Sequence, residues 1–148
     1  MGVVTETVGT RALGVDLGER RIGLALSDPS RTVASPFDVL RRSGDIRADR
    51  RAIVDTARAE GANVIVVGLP LSLSGRTGPA AKAARQEVEA LKAVAGDIEI
   101  VMHDERLTTI TAERALNEAG MKRDARRNVV DKVAAAVMLQ AWLERAQP

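Results

Sequence analysis

The 148-residue sequence contains no cysteine, which excludes disulfide bonds and thiolate zinc sites. It has one histidine, His103, so metal or acid–base chemistry based on histidine is disfavoured. Any bound metal would therefore have to be held by oxygen ligands. Carboxylate and carbonyl oxygens are the ligands that Mg²⁺ and Mn²⁺ prefer, so we expect one of these two ions if the protein binds a metal.

Aromatic residues are almost absent, since Phe37 and Trp142 are the only two. A single-strand binder that stacks bases on aromatic platforms is therefore disfavoured. No apolar run approaches the roughly twenty residues that span a bilayer, and the N-terminus lacks the apolar core of a signal peptide. We expect a soluble, cytoplasmic protein without a membrane partner.

Charge is nearly balanced, with a formal net charge of +2, but the basic residues are unevenly placed. Basic clusters of this kind suit the phosphate backbone of nucleic acid, or else form solvated helix faces. The charge pattern alone does not decide between the two. The clusters comprise Arg41, Arg42, Arg47, Arg50, Arg51 and Arg58, and then Lys122, Arg123, Arg126 and Arg127.

An acidic residue lies in the middle of an apolar strand near the start of the chain. Residues 13–18 and 22–27 read as two strands of a hairpin, and Asp16 stands between Val15 and Leu17. Asp is depleted from strands, and a buried carboxylate is costly without a partner, so a divalent cation would compensate it. The alternative is an Asp that points outward from a half-exposed strand.

The remaining pattern predicts a single α/β domain over residues 12–148, preceded by a flexible N-terminal tail over residues 1–11. Pro36 lies within the third strand and indicates an edge position, because proline cannot donate a ladder hydrogen bond. The predicted strands are 13–18, 22–27, 32–40, 63–69 and 97–102, and the predicted helices are 45–60, 79–95, 108–119 and 128–145.

This element order predicts a mixed five-stranded sheet of order 3-2-1-4-5, with strand 2 antiparallel and helices on both faces. That is the ribonuclease H-like architecture. Ligands collect near the C-terminal ends of parallel strands in such sheets. Asp16, Glu105 and Asp131 come from three separate elements and could meet there. Two Mg²⁺ or Mn²⁺ ions held by them would form a phosphodiester-cleaving centre.

Each acid also has a structural reading. Asp131 lies three residues after Asn128 and could complete a helix N-cap, and Glu105 could favour the positive N-terminus of the following helix. His103 fits a structural or surface residue better than a ligand. The segment 68–77 does not match a phosphate-binding P-loop, because its spacing is too long and Arg76 stands where lysine is required.

Four motifs resemble the YqgF family, also called RuvX-like or Holliday junction resolvase. They are 14–23 (GVDLGERRIG), 67–71 (VGLPL), 104–109 (DERLTT) and 131–135 (DKVAA). The resemblance implies a ribonuclease H-like, Mg²⁺-dependent nuclease that matures the 5′ end of pre-16S rRNA, with active-site carboxylates at Asp16, Glu105 and Asp131. The RuvC resolvases resemble this family in fold but carry a further acid where this sequence has Ala134.

Three functions follow from these observations. The first is a metal-dependent nuclease acting on structured RNA, and the second is the same chemistry on four-way DNA junctions. The third is a non-catalytic nucleic-acid-binding factor in ribosome assembly or transcription. An actin-like or sugar-kinase-like ATPase would need two such domains. The sequence leaves open a monomer or a homodimer, and the residues expected to contact substrate phosphates are Arg20, Arg21, Arg76 and Thr108.

Overall fold

The computed structural model describes residues 10–18, 20–69, 79–104 and 123–146. Within these ranges the chain forms five strands and three helices. The strands are β1 (Arg11–Leu17), β2 (Arg21–Ser27), β3 (Ala34–Arg41), β4 (Ala62–Leu69) and β5 (Glu99–Asp104). The helices are α1 (Ile46–Ala59), α2 (Pro79–Val94) and α3 (Arg123–Ala146). The predicted helix 108–119 lies outside the described residues.

The five strands form one mixed sheet in the order β3-β2-β1-β4-β5. β2 is antiparallel to both β1 and β3, whereas β1, β4 and β5 run parallel. The predicted order and strand directions are therefore confirmed. The edge position of Pro36 is also confirmed, and the β2–β3 register shifts beside it, between Leu24 and Ala25.

Side chains alternate between two apolar layers, one on each face of the sheet. Leu13 and Val15 of β1 pack in a cluster with residues of α1 and α2, such as Ile53 and Val88. Ala12 belongs to a second apolar cluster, on the other face. Most members of that cluster come from α3, namely Ala135, Ala136, Met138, Leu139 and Leu143. Helices thus cover both faces, as predicted, and α3 alone covers one of them among the described elements.

The start of α1 follows from local hydrogen bonding. Asp45 is the N-cap, and its side chain accepts hydrogen bonds from the backbone N–H groups of Arg47 and Ala48, which have no partner inside the helix. The first strand, β1, begins at Arg11, which was predicted to be the last residue of the N-terminal tail. Residues 1–9 lie outside the described residues.

The last helix differs most from its prediction. α3 begins at Arg123, five residues before the predicted start at Asn128, so residues 123–127 are helical and not part of a loop. Arginine and alanine are good helix formers, and nothing in this stretch breaks a helix, so the helix continues through Asn128. Asp131 is consequently the ninth residue of α3, and the interpretation of Asp131 as an N-cap acid is wrong.

Candidate active site

Asp16 lies on the face of the sheet that α3 covers. Strand alternation places its side chain on the same side as Ala12 and Gly14 and opposite to Val15. It is half-buried, and its cross-strand partner in β2 is Gly23. The carboxylate therefore belongs to the layer between sheet and helix, near the C-terminal end of β1.

Two glycines on this face allow α3 to lie close to the sheet. A Cβ atom on Gly23 would be 2.0 Å from the carbonyl oxygen of Asp131, and one on Gly14 would be 2.9 Å from Cβ of Leu139 and 3.2 Å from the carbonyl oxygen of Ala135. Asp131, Ala135 and Leu139 are spaced four residues apart and form the stripe of α3 that faces the sheet. The backbone at Asp131 thus lies directly over the partner of Asp16.

The carboxylate of Asp131 forms an ion pair with Arg21 of β2. The distance from Arg21 Nε to Asp131 Oδ2 is 2.6 Å, and the two side chains are 25% and 24% exposed. Arg21 lies two residues before Gly23 and so points to the same face. A charge-assisted hydrogen bond of this length holds the carboxylate in one orientation and partly neutralises it.

His103 lies on the same face as Asp16. It pairs with Gly68 of β4, one residue after Val67, and Val67 is the partner of Val15. The row that contains Asp16 therefore continues across Gly68 to His103. The imidazole is 8% exposed, so it is a buried residue and not a surface one.

The turn between β1 and β2 is held by Arg42. Its Nε donates to the carbonyl oxygen of Gly18 at 2.6 Å, and its backbone N–H donates to the carbonyl oxygen of Arg20. Arg20 itself is exposed at this turn. The sequence analysis did not predict that Arg42 holds this turn. Its position at the end of the third strand, opposite the turn, could have indicated this contact.

The other expected site residues, Glu105, Arg76 and Thr108, lie outside the described residues, as does the segment 70–78. Among the residues that the structure describes, no three His, Asp or Glu side chains are grouped so that they could hold a metal ion. The described part of the site thus contributes two carboxylates, Asp16 and Asp131, from two elements. Ala134, three residues after Asp131 in α3, is 1% exposed.

Comparison with known proteins identifies the family. The model of the RuvX family, described as Holliday junction resolvase, matches residues 10–145. The chain belongs to this family. Its curated relatives carry the name "Putative pre-16S rRNA nuclease". One from Mycobacterium sp. (strain KMS) is 40% identical over 91% of this chain and 80% of its own length. One from Kineococcus radiotolerans is 46% identical over 89% and 70%, and one from Endomicrobium trichonymphae is 40% identical over 90% and 95%.

Solved structures agree on the fold. Thermus thermophilus RuvC in complex with a Holliday junction superposes with a TM-score of 0.56 at 15% identity, over 92% of this chain and 95% of that one. A second RuvC structure from the same organism gives a TM-score of 0.52 at 13% identity. The fold is therefore ribonuclease H-like, and this RuvX family member is a nuclease that acts on nucleic acid. Within the described ranges, no helix is long and apolar enough to cross a membrane.

Proposed function

We propose that this nuclease hydrolyses phosphodiester bonds at a divalent-metal centre formed by Asp16, Glu105 and Asp131. The observation that carries the proposal is the contact between the backbone of Asp131 and Gly23, the cross-strand partner of Asp16. This contact supports a shared site, because it sets the backbone of Asp131 against the strand pair that carries Asp16. Carboxylates that lie close together repel one another, and cations offset that repulsion, as Arg21 does beside Asp131.

The donor set fits Mg²⁺ or Mn²⁺, because both described acids offer hard oxygen ligands and the chain has no thiolate to offer. When bound, a pair of such ions would activate the attacking water and stabilise the leaving oxygen. The chain's own residues would position the ions. Asp16 and Asp131 would hold them, and Arg21 orients the carboxylate of Asp131. The close fit of α3 on the sheet would set the separation of the two acids.

The substrate we propose is structured RNA, with maturation of the 5′ end of pre-16S rRNA as the reaction. The names of relatives that are 40–46% identical over about nine-tenths of this chain support it. Of the four residues expected to contact substrate phosphates, Arg20, Arg76 and Thr108 keep that role in this proposal, whereas Arg21 is paired with Asp131. We further propose that the protein acts in the cytoplasm, where precursor rRNA is found, and that residues 12–148 form the single catalytic domain.

A second candidate is cleavage of four-way DNA junctions, which the description of the family favours. Symmetric cutting of a junction requires two active sites, hence a homodimer, whereas a single RNA cut needs only one copy. We expect a further acid in the RuvC resolvases where this chain has Ala134, so their mechanism of junction cutting fits this chain less well. We therefore place RNA first.

The test incubates wild type and Asp16→Asn with labelled precursor rRNA fragments and with synthetic four-way junctions, in Mg²⁺, Mn²⁺ or EDTA. We expect metal-dependent cutting of the precursor RNA, lost in the variant, because the substitution removes a charged ligand but keeps the shape. Asp55→Asn is the control, since Asp55 is exposed on α1, on the other face of the sheet.

If the protein cuts four-way junctions in preference to precursor rRNA, its substrate is branched DNA and not RNA. If neither substrate is cut in any metal while both are bound, the protein is instead a binding factor. That outcome would contradict the proposed metal centre.

A further inference from the structure

A small basic cleft lies beside the ion pair of Arg21 and Asp131, on the side towards the edge strand β3. It has a volume of about 280 Å³ and is lined by Arg21, Asp38, Val39, Arg41 and Lys132. This is just below the range of roughly 300–1,000 Å³ that is usual for small-molecule sites. The cleft therefore suits a fragment the size of a phosphodiester group better than a whole nucleoside.

The position of the cleft follows from the register of the sheet. Arg41 is the cross-strand partner of Arg21, and Val39 is the partner of Gly23, so these side chains share the face that carries Asp16. Lys132 follows Asp131 directly on α3. The cleft is thus continuous with the candidate active site and shares Arg21 with it.

The charges of the cleft favour an anion. Of the five described residues that line it, three are cationic and Asp38 is the one acid. Among the described residues, Arg21 has a carboxylate partner, whereas neither Arg41 nor Lys132 is in an ion pair. Like charges directly opposite on neighbouring strands are destabilising. Asp131 already offsets the charge of Arg21, and an anion beside Arg41 and Lys132 would offset the positive charge that faces it.

We infer that this cleft binds a backbone phosphate of the nucleic acid next to the one that is cut, through Arg41 and Lys132. The inference rests on the proposed function for the identity of the ligand but not on catalysis. None of the described lining residues is aromatic, so the cleft contacts the backbone and does not read bases. Arg41 and Lys132 are accordingly binding residues that hold the strand in place while Arg21 remains on Asp131.

The experiment measures binding of a fluorescently labelled RNA hairpin, and of a labelled four-way junction, in EDTA over a series of salt concentrations. The variants are Arg41→Gln and Lys132→Gln, and the matched controls are Arg51→Gln and Lys82→Gln, both exposed on helices of the opposite face. Each phosphate contact contributes roughly 0.7–0.9 to the slope of log affinity against log salt concentration. We expect each cleft variant to lower the slope by about this amount and the affinity by roughly three- to tenfold.

Arg41→Lys keeps a cation in the cleft and should restore most of the slope, and thermal unfolding checks that every variant is folded. A wild-type slope in both cleft variants, or equal losses in the controls, would overturn the inference. Because EDTA prevents cutting, the result is independent of the nuclease proposal. If the cleft variants lower the slope in a protein that cuts nothing, the cleft binds phosphate and the proposed metal centre is wrong. If the protein cuts its substrate and the cleft variants leave the slope unchanged, the metal centre stands and the inference about the cleft is wrong.

Discussion

Gly23 shows how one missing side chain positions the candidate active site. In a strand interior a glycine usually weakens the sheet, since it offers nothing to pack. Here its bare Cα lets the backbone of α3 approach, and the backbone of Asp131 lies against the strand partner of Asp16 as a result. The acid and the glycine are therefore parts of one arrangement, linked by the β1–β2 register.

Replacing Gly23 by alanine should damage both stability and activity. The new Cβ would be 2.0 Å from the carbonyl oxygen of Asp131, which is backbone and cannot rotate away, so α3 must shift. Overpacking of this kind costs about 1–3 kcal/mol, and we expect cleavage to fall together with the free energy of unfolding. Denaturant unfolding and single-turnover cleavage measure the two effects.

Gly44→Ala is the control for that substitution. Gly44 has a φ of +91°, so alanine there is strained, but nothing lies within 4 Å of the added Cβ. We expect a loss of stability of about 1 kcal/mol with cleavage unchanged. Full activity in Gly23→Ala would show that α3 does not need its close contact with the sheet.

Asp28 organises the turn between β2 and β3. Its carboxylate accepts hydrogen bonds from the hydroxyl of Ser30 and from the backbone N–H groups of Thr32 and Val33, the latter two at 2.7 Å and 2.9 Å. These hydrogen bonds, with that of Ser30 the strongest, lower the pKa of Asp28 from 3.8 to about 2. The folded protein thus prefers the charged form of this side chain.

The stability that Asp28 contributes should depend on pH. Between pH 3.8 and about 2 the unfolded chain binds more protons than the folded one, so this contribution is complete above pH 3.8 and is lost as the pH falls to about 2. The difference in unfolding free energy between wild type and Asp28→Asn should therefore shrink over that window. Asp55→Asn serves as the comparison, and a difference that is constant with pH would contradict this role of Asp28.

At the scale of whole elements, α1 and α2 are joined by a two-point ion pair on the face opposite the candidate site. Arg50 Nε and Nη2 lie 2.8 Å and 2.9 Å from the two carboxylate oxygens of Glu87, whose side chain is 11% exposed. The hydrogen bond from Arg50 to Glu87 raises the pKa of Arg50. Such a bidentate pair fixes orientation as well as distance.

Glu87→Gln should loosen this contact. The substitution leaves a partly buried guanidinium without its charged partner, and we expect a loss of about 1–2 kcal/mol in the free energy of unfolding. Glu89→Gln is the matched control, because the Lys92–Glu89 pair on the same helix is 51% and 73% exposed and should contribute little. A double-mutant cycle that combines Glu87→Gln with Arg50→Met measures the coupling energy between the two side chains. Equal losses of unfolding free energy in Glu87→Gln and Glu89→Gln would contradict a stabilising role for the Arg50–Glu87 pair.

The elements also show what sequence reasoning could reach. β4 is a continuous apolar run, β5 carries the alternate apolar residues Ile100 and Met102, and Asp45 is a recognisable N-cap, so the strand order and α1 followed from pattern and capping rules. The start of α3 could not be predicted in this way, because Asn128 resembles an N-cap but lies in the second turn of the helix. The contact between Gly23 and Asp131 joins positions more than a hundred residues apart, which no local pattern encodes.

Across the whole molecule, α3 is attached to the sheet at both ends of its sheet-facing stripe. At the first residue of this stripe, Asp131 forms an ion pair with Arg21. Further along, the side-chain amide of Gln140 donates to the carbonyl oxygen of Thr32 at 3.0 Å and accepts from the N–H of Ala34 at 2.8 Å. These two attachments hold α3 against the face of the sheet that carries Asp16.

If Asp16 and Asp131 serve one metal centre, as we propose, a double-mutant cycle on cleavage will show that their effects are coupled. Single-turnover cleavage in Mg²⁺ would be measured for wild type, Asp16→Asn, Asp131→Asn and the double variant, on whichever substrate the wild type cuts. Residues that act as a unit are strongly non-additive, so we expect each single variant to lose at least roughly a hundredfold in rate and the double variant to lose no more than the worse single one. Wild-type cutting by Asp131→Asn, or losses that multiply in the double variant, would contradict the claim.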